Sequence, residues 1–277
     1  MSFETSVIIS TYNQPEWLRK VLIGYEQQSF KNLEIIIADD GSTKETDAVV
    51  KQFKSGSNLV ITHLWQEDKG FRKTKILNKA IHKAQASYLI FTDGDCIPRA
   101  DFVETHLKIK KENSFLSGGY FKLPKNISEA ILDDDIKTER CFDKGWLLNQ
   151  GLRKNFKINK LTASGFKEQF LNTITPTKAT FDGMNVSVWK NDVIEVNGFD
   201  ERMEYGGEDR ELGERLMNMG IKPIQIRYSA ICLHLDHERS YANEIALEKN
   251  KAIRKETNKN KSIWTDFGLI KKSEHFL

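Results

Sequence analysis

Apolar and polar positions alternate between two rhythms over the N-terminal third of the chain. Residues 6–10 (SVIIS), 33–38 (LEIIIA), 59–65 and 88–92 (YLIFT) are short apolar runs. Runs of this kind mark strands buried on both faces. Between them the apolar positions recur at helical spacing. Trp17, Leu18, Val21, Leu22 and Tyr25 share one face of a helix expected over 15–28. Pro15 opens that helix, where its fixed φ suits a first turn. Two more helices are expected near 44–53 and over 73–84. Strand–helix alternation predicts an α/β fold, with a mostly parallel sheet covered by helices.

The rhythm fades over roughly 128–180, where polar helical pieces replace strands. It resumes over 181–189, and a helix is expected over 208–219 with Gly220 as its stop. Residues 224–235 read as one strand ending at a pair of histidines, and the last forty residues read as helical and peripheral. No internal repeat is present.

Composition narrows the class. The chain has 277 residues, 39% of them hydrophobic and 29% charged, enough for a sizeable core under a soluble surface. A net charge of +3 is too weak for a dedicated nucleic-acid binder. One basic stretch, Lys249, Lys251, Arg254, Lys255, Lys259 and Lys261, reads as a solvated helix face or as a contact to the anionic inner face of a membrane. Cys96, Cys141 and Cys232 form neither a disulfide framework nor a CxxC pair, so a reducing, cytoplasmic location is expected. The N-terminus lacks a basic and apolar leader, and no apolar run reaches membrane-spanning length.

Ligands of open parallel sheets gather at the carboxyl ends of strands. Three expected strands end in polar clusters: Ser10-Thr11-Tyr12-Asn13, Asp39-Asp40-Gly41-Ser42 and Asp93-Gly94-Asp95. The two aspartates around Gly94 can share a hard cation with phosphate oxygens. On its own an Asp-x-Asp triplet is a weak signal, since acidic turns are common. Gly206-Gly207-Glu208-Asp209 puts carboxylates at a helix start, which suits its dipole and also suits a closing loop. His234 and His237 can offer an imidazole to a metal, with His237 preferred and His234 its neighbour. Arg72 and Lys75, near a glycine-containing loop at 65–72, can face a diphosphate. Neither GxGxxG nor GxxxxGK[ST] is present. Trp146, Trp189 and Trp264 can stack on sugar rings or simply pack.

Taken in order, SVIISTYN, EIIIADDGS, WQEDKGFR and YLIFTDGDC resemble the N-terminal half of family 2 glycosyltransferases with the GT-A fold. The stretch DGMNVSVWKNDVIEVNGFDERMEYGGEDRELGERLMNMG resembles the C-terminal motif of β-1,4-galactosyltransferases and chondroitin-polymerase-like enzymes. The resemblance implies a Rossmann-like central sheet with a helical acceptor-side insertion. It divides the chain into a nucleotide-sugar half (1–119), an acceptor and catalytic half (120–240) and a tail (241–277), with about 120–178 and the tail outside the resemblance.

By the same resemblance, Ser10, Tyr12 and Asp40 would hold the nucleoside. Asp93, Asp95 and His237 would hold Mn²⁺ or Mg²⁺, Asp209 would be the catalytic base, and Glu208 would bind sugar or acceptor hydroxyls. Two departures stand out. Leu77 sits where many relatives have an arginine, which shifts diphosphate contact to Arg72 or Lys75, and Arg210 follows GGED where another acid is usual. The expected activity is inverting transfer from a nucleoside diphosphate sugar, a UDP-sugar, to a hydroxyl of a glycan or lipid-linked glycan in bacterial surface polysaccharide synthesis. A nucleotidyltransferase acting on a sugar phosphate is the rival, but it would need a glycine-rich phosphate loop that STYNQPEW does not supply.

Overall fold

The computed structural model describes residues 2–237 and 243–271. Residues 238–242 and 272–277, parts of the expected acceptor half and tail, lie outside them. In chain order the N-terminal part runs β1 (Thr5–Thr11), α1 (Pro15–Glu26), β2 (Leu33–Asp39), α2 (Lys44–Gly56), β3 (Ile61–Trp65), α3 (Lys73–Lys83) and β4 (Tyr88–Asp93). These match the expected elements within a few residues. Then come β5 (Cys96–Pro98), α4 (Phe102–Ile109), β6 (Ser114–Ser117) and β7 (Gly119–Lys122). The middle holds short helices: α5 (Lys125–Ala130), α6 (Asp133–Lys137), α7 (Lys144–Asn149), α8 (Asn159–Thr162) and α9 (Gly165–Ile174). The rest comprises β8 (Asn185–Trp189), α10 (Lys190–Glu195), α11 (Glu208–Met219), β9 (Lys222–Gln225), β10 (Ile231–His234) and α12 (Glu244–Asn260).

The large sheet has the order β3-β2-β1-β4-β8-β6-β9. It is parallel except at β8, which runs antiparallel to both β4 and β6. Alternate side chains of each strand feed opposite cores. Val7, Ile9, Ile35 and Ile37 pack with Leu18, Val21 and Leu22 of α1 and Val50 of α2. Ile8, Ile36 and Ala38 pack with Ile76, Leu77, Ala80 and Ile81 of α3. Each such aliphatic side chain contributes roughly 1.5–3 kcal/mol on burial, which fixes register, because a one-residue slip would exchange the two cores.

Two expectations need correction. The single strand expected over 224–235 is two strands in two sheets. β9 lies beside β6, whereas β10 pairs with β5 and β7 in a three-stranded sheet. Arg227, Tyr228 and Ser229 interrupt the apolar run, and a turn forms there, with the Ser229 N–H donating to the Ile226 carbonyl at 2.9 Å. The second correction is one of omission: β5, β6 and β7 are three or four residues long, too short to register as a pattern.

Helix α11 starts and stops where the sequence indicates, with Gly220 at φ 104°. Helix α12 lays Ala246, Asn250, Ile253 and Thr257 inward. Arg254 pairs with Glu214 of α11 at 2.5 Å. Lys249, Lys251, Lys255, Lys259 and Lys261 are exposed.

Candidate active site

β1 hydrogen-bonds to β2 on one side and to β4 on the other. The chain order reverses at that point, so a crevice opens at the carboxyl ends of the strands. A cavity of about 600 Å³ occupies it, lined among others by Ser10, Tyr12, Asp40, Asp93, Asp95, Glu208, Asp209, His234 and His237. Nine of the eleven site residues expected from sequence therefore share one space. Arg72 and Lys75 do not line it. Lys75 is exposed, and Arg72 donates its side chain to the Glu67 carbonyl and its backbone N–H to Asp40 Oδ2 at 2.7 Å.

Strand register builds one wall. Ser10 pairs with Asp93 across β1 and β4, and Ser10 Oγ donates to Asp93 Oδ1 at 2.5 Å. The same oxygen accepts from Lys73 Nζ at 3.0 Å. Lys73 is the cation that sequence reading missed. It is the first residue of α3, whose first turn holds no acid. A lysine set against the positive end of a helix dipole is unfavourable, and that anomaly was the available signal. Burial works against its charge, but Asp93, Asp209 and Glu208 hold its pKa well above the ordinary lysine value.

Beyond Gly94 the chain turns, and Asp95 faces two imidazoles. Its Oδ2 lies 2.8 Å from His237 Nε2 and 3.7 Å from His234 Nε2. Ligand atoms from these three residues all lie within 4.8 Å of one another. Burial pushes the Asp95 carboxyl up, and the His237 hydrogen bond with the nearby His234 outweighs it, leaving the carboxyl below its usual range. His234 Nδ1 is buried without a hydrogen-bond partner. A carboxylate with two imidazoles, beside a second carboxylate, is a donor set that suits Mn²⁺ or a similar divalent ion.

The opposite wall is the start of α11. Gly206 and Gly207 adopt φ of 109° and 90°, backbone that L side chains rarely take. They turn the chain so that Glu208 and Asp209 open the helix. Glu208 is buried and accepts the Gly206 N–H at Oε2, 2.8 Å away. Asp209 Oδ2 accepts the Gly183 N–H at 3.1 Å, while Oδ1 is shielded from solvent and has no partner. A Cβ on Gly183 would stand 2.7 Å from both carboxylate oxygens of Asp209, so only glycine allows this approach. Burial raises the Asp209 pKa to about 7. Lys73 opposes the rise, and Glu208 and Asp93 add to it. Such a group can take up a proton near neutrality.

The remaining end is formed by Asp40, Tyr12 and two aromatic rings. Asp40 accepts from Gln66 Nε2 at 2.6 Å and from the Arg72 N–H at 2.7 Å, and burial holds its pKa up against both bonds. Tyr12 is 40% exposed and donates to Asp68 Oδ2 at 2.8 Å. Phe71 and Tyr205 meet edge to face over the cavity, their ring centres 5.9 Å apart. None of Trp146, Trp189 and Trp264 lines it.

Residues 6–161 match the family model described as glycosyl transferase family 2, and residues 167–238 match the N-terminal domain of galactosyltransferase. The first match runs well past residue 119, so part of the middle segment taken to lie outside the resemblance belongs to the family pattern. Validoxylamine A glucosyltransferase of Streptomyces hygroscopicus subsp. jinggangensis (strain 5008) is 28% identical, over 87% of this chain and 57% of its own length. Chondroitin synthase of Escherichia coli is also 28% identical, over 78% of this chain and 32% of its own. The chain thus spans less than two thirds of the length of these curated relatives. The crystal structure of GalNAc-T7 with UDP, GalNAc and Mn²⁺ superposes with a TM-score of 0.63 at 14% identity, covering 92% of this chain and 48% of that one.

Proposed function

This chain belongs to glycosyl transferase family 2, and from that premise we propose that it is an inverting, divalent-metal-dependent transferase. The proposed donor is a nucleoside diphosphate sugar, a UDP-sugar, and the proposed acceptor is a hydroxyl of a glycan or lipid-linked glycan. Asp209 carries this reading: a carboxylate with a pKa of about 7 and a shielded, partnerless oxygen, across one cavity from an Asp–His–His cluster. The comparison supports UDP and Mn²⁺, since the GalNAc-T7 structure contains both.

The acceptor oxygen bonds to the anomeric carbon as the bond from that carbon to the diphosphate breaks. Asp209 Oδ1 takes the hydroxyl proton. Attack from the face opposite the leaving group inverts configuration. Glu208, held by its bond to Gly206, binds sugar or acceptor hydroxyls. Asp40 and Tyr12 seat the nucleoside, and Ser10 and Lys73 hold Asp93 in place. Lys73 lines the cavity and Arg72 and Lys75 do not, which supports Lys73 as the side-chain cation that faces the diphosphate in this proposal. A divalent ion held by Asp95, His237 or His234, and Asp93 would supply positive charge against the departing diphosphate. Tyr205, with Gly206 and Gly207, closes the site and keeps water from the donor.

The setting proposed is bacterial surface polysaccharide synthesis, in the cytoplasm or peripherally at the membrane. In support, the relatives named above are bacterial and all three cysteines are free thiols. No described helix is long and apolar enough to cross a membrane. Phe166, Phe170 and Ile174 lie exposed along one side of α9, which suits a surface encounter with a lipid-linked acceptor. The test is a panel of nucleotide sugars incubated with Mn²⁺, with and without EDTA, reading released nucleoside diphosphate. Release from one donor, abolished by EDTA and by Asp95→Ala, is expected. Metal-independent release that survives Asp95→Ala contradicts the metal role, and a product still bearing the nucleotide points to a nucleotidyltransferase.

A further inference from the structure

A second cavity, of about 1090 Å³, adjoins the first. Met184 lines both. Arg210, which lines only the second, follows Asp209, and Asp182 precedes the glycine that donates to Asp209. The groove therefore runs beside the segments that carry and hold Asp209, the proposed base.

Its charge is one-sided. Seven lining residues are lysine or arginine and two are aspartate, an excess larger than the +3 of the whole chain. Both aspartates are engaged: Asp236 with Lys122 at 3.0 Å, and Asp182 with Arg210 at 3.8 Å. Arg153, Lys157, Lys160, Lys178 and Arg227 also line the groove, and none of them forms an ion pair among the described residues.

Two of these cations are built into the wall. Arg227 is half-buried, with Nε shielded from solvent and without a hydrogen-bond partner. Its stem passes over Gly119, where a Cβ would stand 2.8 Å from Arg227 Cγ. Lys160 is half-buried, donates to the Tyr120 carbonyl at 2.7 Å and lies 5.6 Å above the Tyr120 ring. Burial beside Arg227 lowers its pKa to about 8. Half-burying two like charges together is costly unless an anion offsets them.

Resting on the transferase reading, we propose that the acceptor is anionic: a glycan carrying a carboxylate or phosphate near the accepting hydroxyl, bound in the groove of Lys160 and Arg227. A neutral acceptor would leave these cations uncompensated, whereas a carboxylate or phosphate matches the guanidinium fork.

The test uses the wild-type protein with UDP and Mn²⁺. UDP binding is measured first by calorimetry. Three disaccharide probes are then titrated by ligand-observed NMR: one ending in a hexuronate, one ending in a hexose 6-phosphate, and the neutral parent. At least one charged probe is expected to bind about tenfold or more tightly than the neutral parent. Its affinity should fall as NaCl rises from about 0.05 to about 0.5 M. Which charged probe wins separates carboxylate from phosphate. Arg227→Gln is expected to weaken that probe about tenfold, with partial rescue by Arg227→Lys. If UDP binds and the charged probes bind no better than the neutral one, or not at all, the anionic-acceptor proposal fails alone. If UDP does not bind, the nucleoside diphosphate that does takes its place in the titrations; if none binds, the transferase reading fails and this proposal with it. Should Arg227→Gln not fold, the charge and salt comparison on the wild-type protein decides.

Discussion

The two adjoining cavities are made in opposite ways. The first cavity sits at the ends of long paired strands, and its acidic groups are placed by sheet register and by glycine turns. The second cavity is nearly twice as large. It is basic, and it is walled by short strands, loops and one-turn helices of the middle segment. A regular scaffold fixes atoms for chemistry, while loops vary partner choice over the same scaffold. On the proposed reading, the contrast teaches that the reaction class is written into the first region and the acceptor into the second.

Substitutions can break that division, and the largest effect is expected at Asp209. Asp209→Asn should lower transfer by about 10³-fold while UDP affinity changes little, measured by steady-state kinetics beside calorimetry. The same variant should be more stable at pH 8. The folded-state pKa of about 7 lies above the ordinary carboxylate value, so the folded state loses ground as pH climbs through that window. Removing the charge should return about 1–3 kcal/mol at pH 8 and nothing near pH 4, read as melting temperatures. Equal destabilisation at both pH values would show instead that Asp209 holds the fold.

Metal removal comes next. EDTA should cut transfer by about 10²-fold or more, and Mn²⁺ should restore it. In the acceptor groove, Arg227→Gln should not alter the metal dependence, which keeps the two regions separate. Gly183→Ala should cost about 10- to 100-fold in kcat by displacing the Asp209 carboxylate, with melting temperature as the check that folding survives. The pH profile of kcat/KM should then show a limb near pH 7, falling about tenfold per unit on the acid side, where Asp209 is protonated. Smallest of all, Lys251→Ala and Lys255→Ala on the exposed face of α12 should leave stability within about 0.5 kcal/mol.

How far the site can be read from the chain follows the same divide. The strand ends at Ser10, Asp40 and Asp93 are legible because long apolar runs stop abruptly at polar residues. Two glycines before a helix start mark Glu208 and Asp209 as candidates, and the resemblance singles out Asp209. Lys73 shows in the chain only as a cation at a helix start; its pairing with Asp93 depends on where α3 begins relative to β4, a tertiary fact. Lys160 and Arg227 are farther from view. They stand 67 positions apart in sequence, on a one-turn helix and in the turn that splits the expected strand at 224–235. No local period joins them; they meet because Lys160 bonds to the Tyr120 carbonyl while Arg227 packs over the adjacent Gly119.

The most direct test of the account is calorimetric titration of the wild-type protein with UDP in the presence of Mn²⁺, repeated with EDTA and with Asp95→Ala. Metal-dependent binding of UDP, lost in both controls, is the predicted result. If neither UDP nor any other nucleoside diphosphate binds with Mn²⁺ or Mg²⁺, the cavity is not a donor site and the account is contradicted.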